Sequence, residues 1–317
     1  MIKAYFYLIL SSVLLSVMSL LRKEFQRKNG SLYSILIFSV FAALIIVLCG
    51  NVVSACRGFR FYKKIDAAII AAASIYGLVT LGSTILCILG TKFGNLSVLV
   101  MFATLGQIVL SSVYGLMFDA ENNRFSVSVI IGYMITAVII ALSFLSSKGP
   151  QDEKRRKNKK IFLFFCVALF FVNGLALPVL SLFTRMRPAY SGTDFLTISS
   201  AFTFFYGGIF LLVLCVCKKK KPSSVPDVGA IEKSPEWGIS KYSLLLIILY
   251  AFVYFGSDLL ALLCTSLIPI VIQAPLSFSI SIVVLTIFDF IIYKEKPSKS
   301  NMIQMILAVI CNIFFAL

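Results

Sequence analysis

Apolar stretches close to 20 residues long, separated by short clusters of charge, run through the whole sequence and leave few folds open to it. A helix rises about 1.5 Å per residue, so about 20 apolar residues cross a hydrocarbon core of about 30 Å. Lipid offers no partner to backbone N–H and C=O groups, so a segment of that length satisfies them within itself as a helix. The short alternating segments of a membrane barrel are absent. Composition agrees: of 317 residues 60% are hydrophobic and 13% charged, about half the charge of an ordinary soluble domain. Such a chain lacks the polar groups to coat a water-soluble particle. The expected fold class is an all-α membrane protein of about ten transmembrane helices.

Spans are expected at 3–22, 32–54, 67–89, 96–118, 127–146, 161–183, 194–217, 242–264, 268–292 and 300–317. The first follows Lys3 and could pass for a signal peptide. It is long, has no A-x-A site after it and closes on Arg22-Lys23, so it is expected to stay as a helix. Two polar stretches, 147–160 and 218–241, are charged and carry Pro or Gly, as solvent loops do. The division expected is a five-helix repeat over 1–147, a basic linker at 148–160 and a second five-helix repeat over 161–317. Five is odd, so the second half enters the membrane inverted, a transporter signature. Of 29 Lys and Arg, 21 fall in loops that leave odd-numbered spans. The positive-inside rule then puts those loops in the cytoplasm and both termini outside.

Histidine is absent, which removes the commonest metal ligand and neutral-pH base. The eight cysteines lie mostly within apolar segments and read as small buried hydrophobes. Cys215-x-Cys217 has no second pair to complete a metal site. No GxxxxGK[ST] loop occurs, so ATP is not a direct drive. No cofactor, metal or catalytic residue is expected, and an enzyme is not. The net charge of +16 sits in loops flanking helices, where it suits lipid headgroups rather than nucleic acid.

Polar side chains are costly in lipid and turn toward the bundle interior. At helical spacing they form stripes: Ser12, Ser16 and Ser19; Tyr76, Thr80, Ser83 and Cys87; Thr104, Gln107, Ser111 and Tyr114; Tyr250, Tyr254, Asp258 and Thr265. Such hydroxyls either line a cavity or bond back to their own helix. Asp258 is the sharpest candidate, because an ionised carboxylate in mid-span costs at least about 2.5 kcal/mol on insertion scales. It suits proton coupling or a substrate amine, with Tyr250 and Tyr254 as donors; an interhelical bond to a neighbouring hydroxyl would also satisfy it. Gln107, Gln273 and Asn173 are buried amides that touch substrate or hold helices together. Pro178, Pro269 and Pro275 interrupt apolar spans, as kinks or hinges. Asp289, near a span end, could pair with Lys294 or Lys296; Arg185, Arg187 and Asp194 make a charged loop suited to anchoring at the interface.

The stretch YKEKPSKSNMIQMILAVICNIFF resembles the closing hairpin of the ten-helix drug/metabolite transporter superfamily (EamA-like), in which a long helix ends in an acid and a polar turn leads to a small-residue helix. Phe118 to Gly132, with Glu121, is similar to its counterpart in the first half, and Glu295 is the acid in the second. Gln304 stands where that family has glycine. The resemblance implies a central cavity lined by both halves, alternating access, both termini in the cytoplasm, and substrates such as amino acids, other metabolites, nucleotide sugars or drugs. The function expected is therefore a secondary transporter of a small metabolite or drug-like solute in the plasma (inner) membrane, with lipid as its other partner. Low charge among the candidates favours neutral or zwitterionic solutes over polyanions. An integral-membrane enzyme on lipid-linked substrates and a structural membrane subunit are the alternatives, and a homodimer stays open.

Overall fold

The computed structural model describes residues 2–29, 31–56, 67–90, 93, 96–118, 126–146, 153–186, 192–219, 240–293 and 299–316. All secondary structure among them is helical: α1 Ile2–Lys28, α2 Leu32–Cys56, α3 Ala67–Gly90, α4 Leu96–Phe118, α5 Val127–Ser146, α6 Glu153–Gly174, α7 Ala176–Met186, α8 Gly192–Lys219, α9 Lys241–Thr265, α10 Ile270–Tyr293 and α11 Lys299–Ala316. Six stretches are long and apolar enough to cross a membrane: Lys3–Lys28, Leu32–Cys56, Ala67–Gly90, Ile161–Thr184, Gly192–Cys217 and Lys241–Thr265. The polarity of the bundle suits lipid. Large apolar side chains such as Met117 (70% exposed) and Leu212 (68%) face outward, while Ser12, Ser111 and Ser279 are at most 1% exposed. In water that arrangement would leave apolar surface unsheltered; in hydrocarbon it hides the hydroxyls.

The helices pack in a set of pairs. The main partners are α2–α8, α1–α9, α4–α6, α5–α11, α3–α8, α10–α11, α1–α10, α2–α9, α4–α10, and α3 against both α6 and α7. Exchanging α1 with the α6–α7 unit, α2 with α8, α3 with α9, α4 with α10 and α5 with α11 returns these pairs except α10–α11, whose counterpart α4–α5 touches only slightly. Contacts give the directions. Gly50 meets Thr197 while Gly207 meets Val40, so α2 and α8 are antiparallel. Gly132 meets Phe315 while Thr136 bonds Cys311, so α5 and α11 are too. Ala4 and Ser11 of α1 lie against Cys264 and Ser257 of α9, again antiparallel.

Four expectations need correction. The first helix does not close at Arg22 but runs to Lys28, since Arg, Lys, Glu and Gln are good helix formers. The same propensity makes residues 153–160 helical as the start of α6, where a loop was expected. The sixth span is two helices, α6 and α7, broken at Leu175. Pro178 cannot donate to the carbonyl of Gly174, so the ladder lapses there. The break lies at a close approach: a Cβ on Gly174 would sit 2.7 Å from the Gly106 carbonyl oxygen, and one on Gly106 would overlap the Phe170 carbonyl. Pro269 lies just before α10 rather than inside a helix. Pro275 does lie within α10; the carbonyl it frees, that of Val271, accepts from Tyr133 Oη at 2.9 Å.

Candidate functional site

Helix α3 presents Tyr76, Thr80 and Thr84 at four-residue spacing, and α9 presents Tyr250, Tyr254 and Asp258 in the same way. Residues so spaced share one face. The two stripes meet head to tail. Tyr76 Oη donates to Asp258 Oδ2 at 2.7 Å, and at the other end Thr84 and Tyr250 share a common partner. That partner is Arg22, whose Nη2 donates to Thr84 Oγ1 at 3.0 Å and to Tyr250 Oη at 2.7 Å, with Nε reaching the same phenol at 3.1 Å. The guanidinium carbon lies 5.4 Å from the centroid of the Tyr250 ring. Tyr254 lies one turn before Asp258 on α9. Its ring stacks on Tyr250 with centroids 6.0 Å apart. The result is a ladder of hydroxyls with a carboxylate at one end and a guanidinium at the other.

Local sequence explains why each strut stands where it does. Ser240 caps α9, accepting from the Ser243 backbone N–H, and so fixes the phase of the stripe. Ser11 and Ser257 each donate to the other's backbone carbonyl, at 3.1 and 3.2 Å, locking α1 to α9 three to four turns from Arg22. Tyr250 is 4% and Tyr76 3% exposed, whereas Arg22, Tyr254 and Asp258 are partly exposed. Buried phenols need partners, and the two charged groups supply them.

A small, half-open cavity of about 30 Å³ lies beside the ladder. Its wall comes from α2 (Ser39, Ala42, Ala43, Ile46), α3 (Thr80, Leu81, Thr84), α8 (Ser200, Thr203) and α9 (Tyr250, Tyr254). These are two helix pairs that the exchange interconverts. Three of the ten sequence candidates, Tyr254, Tyr250 and Thr80, line this cavity, and two more, Tyr76 and Asp258, bond each other beside it. Thr80 bonds the carbonyls of Tyr76 and Gly77 at 2.8 and 3.1 Å and approaches Thr203 Oγ1 at 3.3 Å.

The other five stand elsewhere. Thr104 is buried and bonds back to the Val100 carbonyl at 2.9 Å. Ser111 is fully buried, and Gln107 partly, on α4. Asn173 ties three helices at the α6–α7 break, donating to the Ala103 carbonyl at 3.2 Å and accepting from Ser83 at 3.1 Å. Gln273 donates to the Ala261 carbonyl at 3.2 Å and joins α10 to α9. The serines of α1 bond their own helix: Ser12 to Leu8, Ser16 to Ser12, Ser19 to Leu15. The charge-bearing residue that sequence reasoning passed over is Arg22. It continues the Ser12, Ser16, Ser19 spacing, a signal masked by reading Arg22-Lys23 as a helix end. Among the described residues no cluster of three His, Cys, Asp or Glu could hold a metal. Glu121, Glu295, Lys294, Lys296 and Arg187, with the side chains of Arg185 and Asp289, lie outside the described residues.

No family model and no curated protein matches the chain. Among solved structures, one described only as "Crystal structure of protein" superposes with a TM-score of 0.67 over 99% of this chain and 98% of its own, at 12% identity. The chain therefore shares its whole-length fold with that protein.

Proposed function

We propose that the protein is a secondary transporter that moves a small solute by alternating access, built as ten membrane spans in two inverted five-helix repeats. The observation that carries this reading is the cavity bordered by the Arg22–Asp258 ladder. It sits between two helix pairs that the exchange of halves interconverts, where a rocking transporter holds its substrate. Charged groups held within a membrane bundle, as Arg22 and Asp258 are, are costly to keep and mark a substrate or ion path. The antiparallel α2–α8 and α5–α11 pairs support the inverted relation of the halves, and the broken sixth span supplies a hinge of the kind such proteins use. The EamA-like resemblance of the last hairpin points the same way, and the plasma membrane is the expected home.

The test is thermal stability of the purified protein against a metabolite and drug library, beside Asp258→Asn, followed by counterflow of each hit in proteoliposomes. A ligand at 100 times its Kd stabilises the native state by about 2.7 kcal/mol. The proposal expects a compound that raises Tm, loses that effect in Asp258→Asn and exchanges across the vesicle membrane. A broad library without a stabilising or exchanging compound would favour a structural subunit instead.

A further inference from the structure

The end of α1 is tied to the start of α9. Asn29 Nδ2 donates to Ser243 Oγ at 2.9 Å, and Lys28 Nζ lies 3.5 Å from the centroid of the Tyr242 ring. An ammonium over an aromatic face is attracted to the ring and keeps its charge. Lys28, Lys241 and Tyr242 are all exposed. Among the described residues neither lysine has an ion pair. Glu24, the one acid of α1, pairs with Arg27 at 3.4 Å, and the first turn of α9 holds no acid.

Below these cations the seam turns apolar. Tyr242, Leu245, Leu249 and Phe252 succeed one another at spacings of three, four and three residues, so they share one face of α9. All four are exposed. Ten residues of helix rise about 15 Å, half of a hydrocarbon core of about 30 Å. The stripe is therefore as long as one leaflet is deep, with both lysines at its polar end and a tyrosine where the interface favours one. Further charge gathers at this end of the bundle. Gly207, near the end of α8, meets Val40, near the start of α2, so Lys218 and Lys219, which close α8, lie here too.

We propose that the seam between the end of α1 and the start of α9 is a discrete site for one anionic phospholipid, its phosphate held by Lys28 and Lys241 and an acyl chain laid along Leu245, Leu249 and Phe252. A zwitterionic phospholipid brings a cation of its own toward the lysines, so the site prefers a headgroup of net negative charge. The site is separate from the cavity and independent of what the cavity holds.

Native mass spectrometry of the purified, delipidated full-length protein tests this by counting bound lipids during titration. The probes are phosphatidylglycerol and phosphatidylcholine with the same chains. One phosphatidylglycerol binds at least tenfold more tightly than any further copy and than phosphatidylcholine. Lys28→Gln with Lys241→Gln removes that one tight event and leaves the weaker ones. Lys218→Gln with Lys219→Gln takes the same charge from the same end of the bundle and keeps the tight event, as does Lys28→Arg with Lys241→Arg. Glycerol phosphate, a headgroup without chains, binds at least tenfold more weakly than the lipid. Equal affinity for the two phospholipids overturns the proposal. So does equal weakening in the two glutamine variants, which marks a diffuse field of charge rather than a site, or glycerol phosphate binding as well as the lipid. An RNA oligonucleotide that Lys28 and Lys241 hold in preference to phosphatidylglycerol overturns it as well.

Discussion

The Tyr76–Asp258 contact is the strut on which the ladder rests, and its strength can be estimated. The bond is 2.7 Å long and ends on a carboxylate. Hydrogen bonds to charged groups contribute about 1.5–3 kcal/mol in soluble proteins, whereas polar pairs in membrane bundles average about 0.6 and reach about 1.7 kcal/mol. Asn at 258 still accepts, though without charge. A double-mutant cycle of Tyr76→Phe and Asp258→Asn should therefore give a coupling energy of about 1 kcal/mol, about fivefold in the folding constant. Reversible unfolding in mixed micelles, followed by circular dichroism, measures it. Thr136→Val serves as control, because its partners are Gly132 and Cys311; paired with Tyr76→Phe it should be additive within about 0.5 kcal/mol. Coupling no larger than in the control would refute the contact and, with it, the antiparallel meeting of the α3 and α9 stripes.

Three further outcomes follow from the packing. Gly106→Ala drives a methyl into the Phe170 carbonyl and should cost about 1–3 kcal/mol, lowering Tm; Gly208, with nothing within 4 Å of its Cβ position, should accept Ala with a gain of up to about 1 kcal/mol, and the reverse order would contradict the α4–α6 crossing. Tyr133→Phe strips the Val271 carbonyl of its donor at a cost of about 1 kcal/mol; Pro275→Ala, which restores a backbone N–H there, should reduce that cost in a thermal melt. Cys56 and Cys217 are exposed at the ends of the antiparallel α2 and α8, so an impermeant maleimide on intact cells should label one and spare the other; labelling both would contradict that pairing within a membrane.

Much of the architecture was legible in the sequence, because span length in lipid is set by arithmetic that needs no tertiary knowledge. What was lost concerns partners remote in sequence. Arg22 looked like a helix-ending cation because Lys23 follows it, yet Thr84 and Tyr250, 62 and 228 residues away, draw it inward. Helical spacing placed Tyr76 with Thr80 and Tyr254 with Asp258, and the structure sets those two stripes face to face. It also aligned Thr104, Gln107 and Ser111, but periodicity says which residues share a face and not what the face meets. The α1 serines show the same limit: their spacing is regular, and their hydroxyls turn to their own carbonyls. The break at Leu175 was half visible in Gly174 and Pro178, while the crossing with Gly106 that accommodates it was not.

The most direct test of the central claim needs no knowledge of the substrate. Thr203 lines the cavity from α8, and a Thr203→Cys variant in a background free of other cysteines places one thiol at the proposed path. An impermeant maleimide is applied to intact cells and, separately, to inside-out vesicles, with the labelled fraction read by mass. Alternating access predicts labelling from both faces; labelling from one face alone, or from neither, would contradict it.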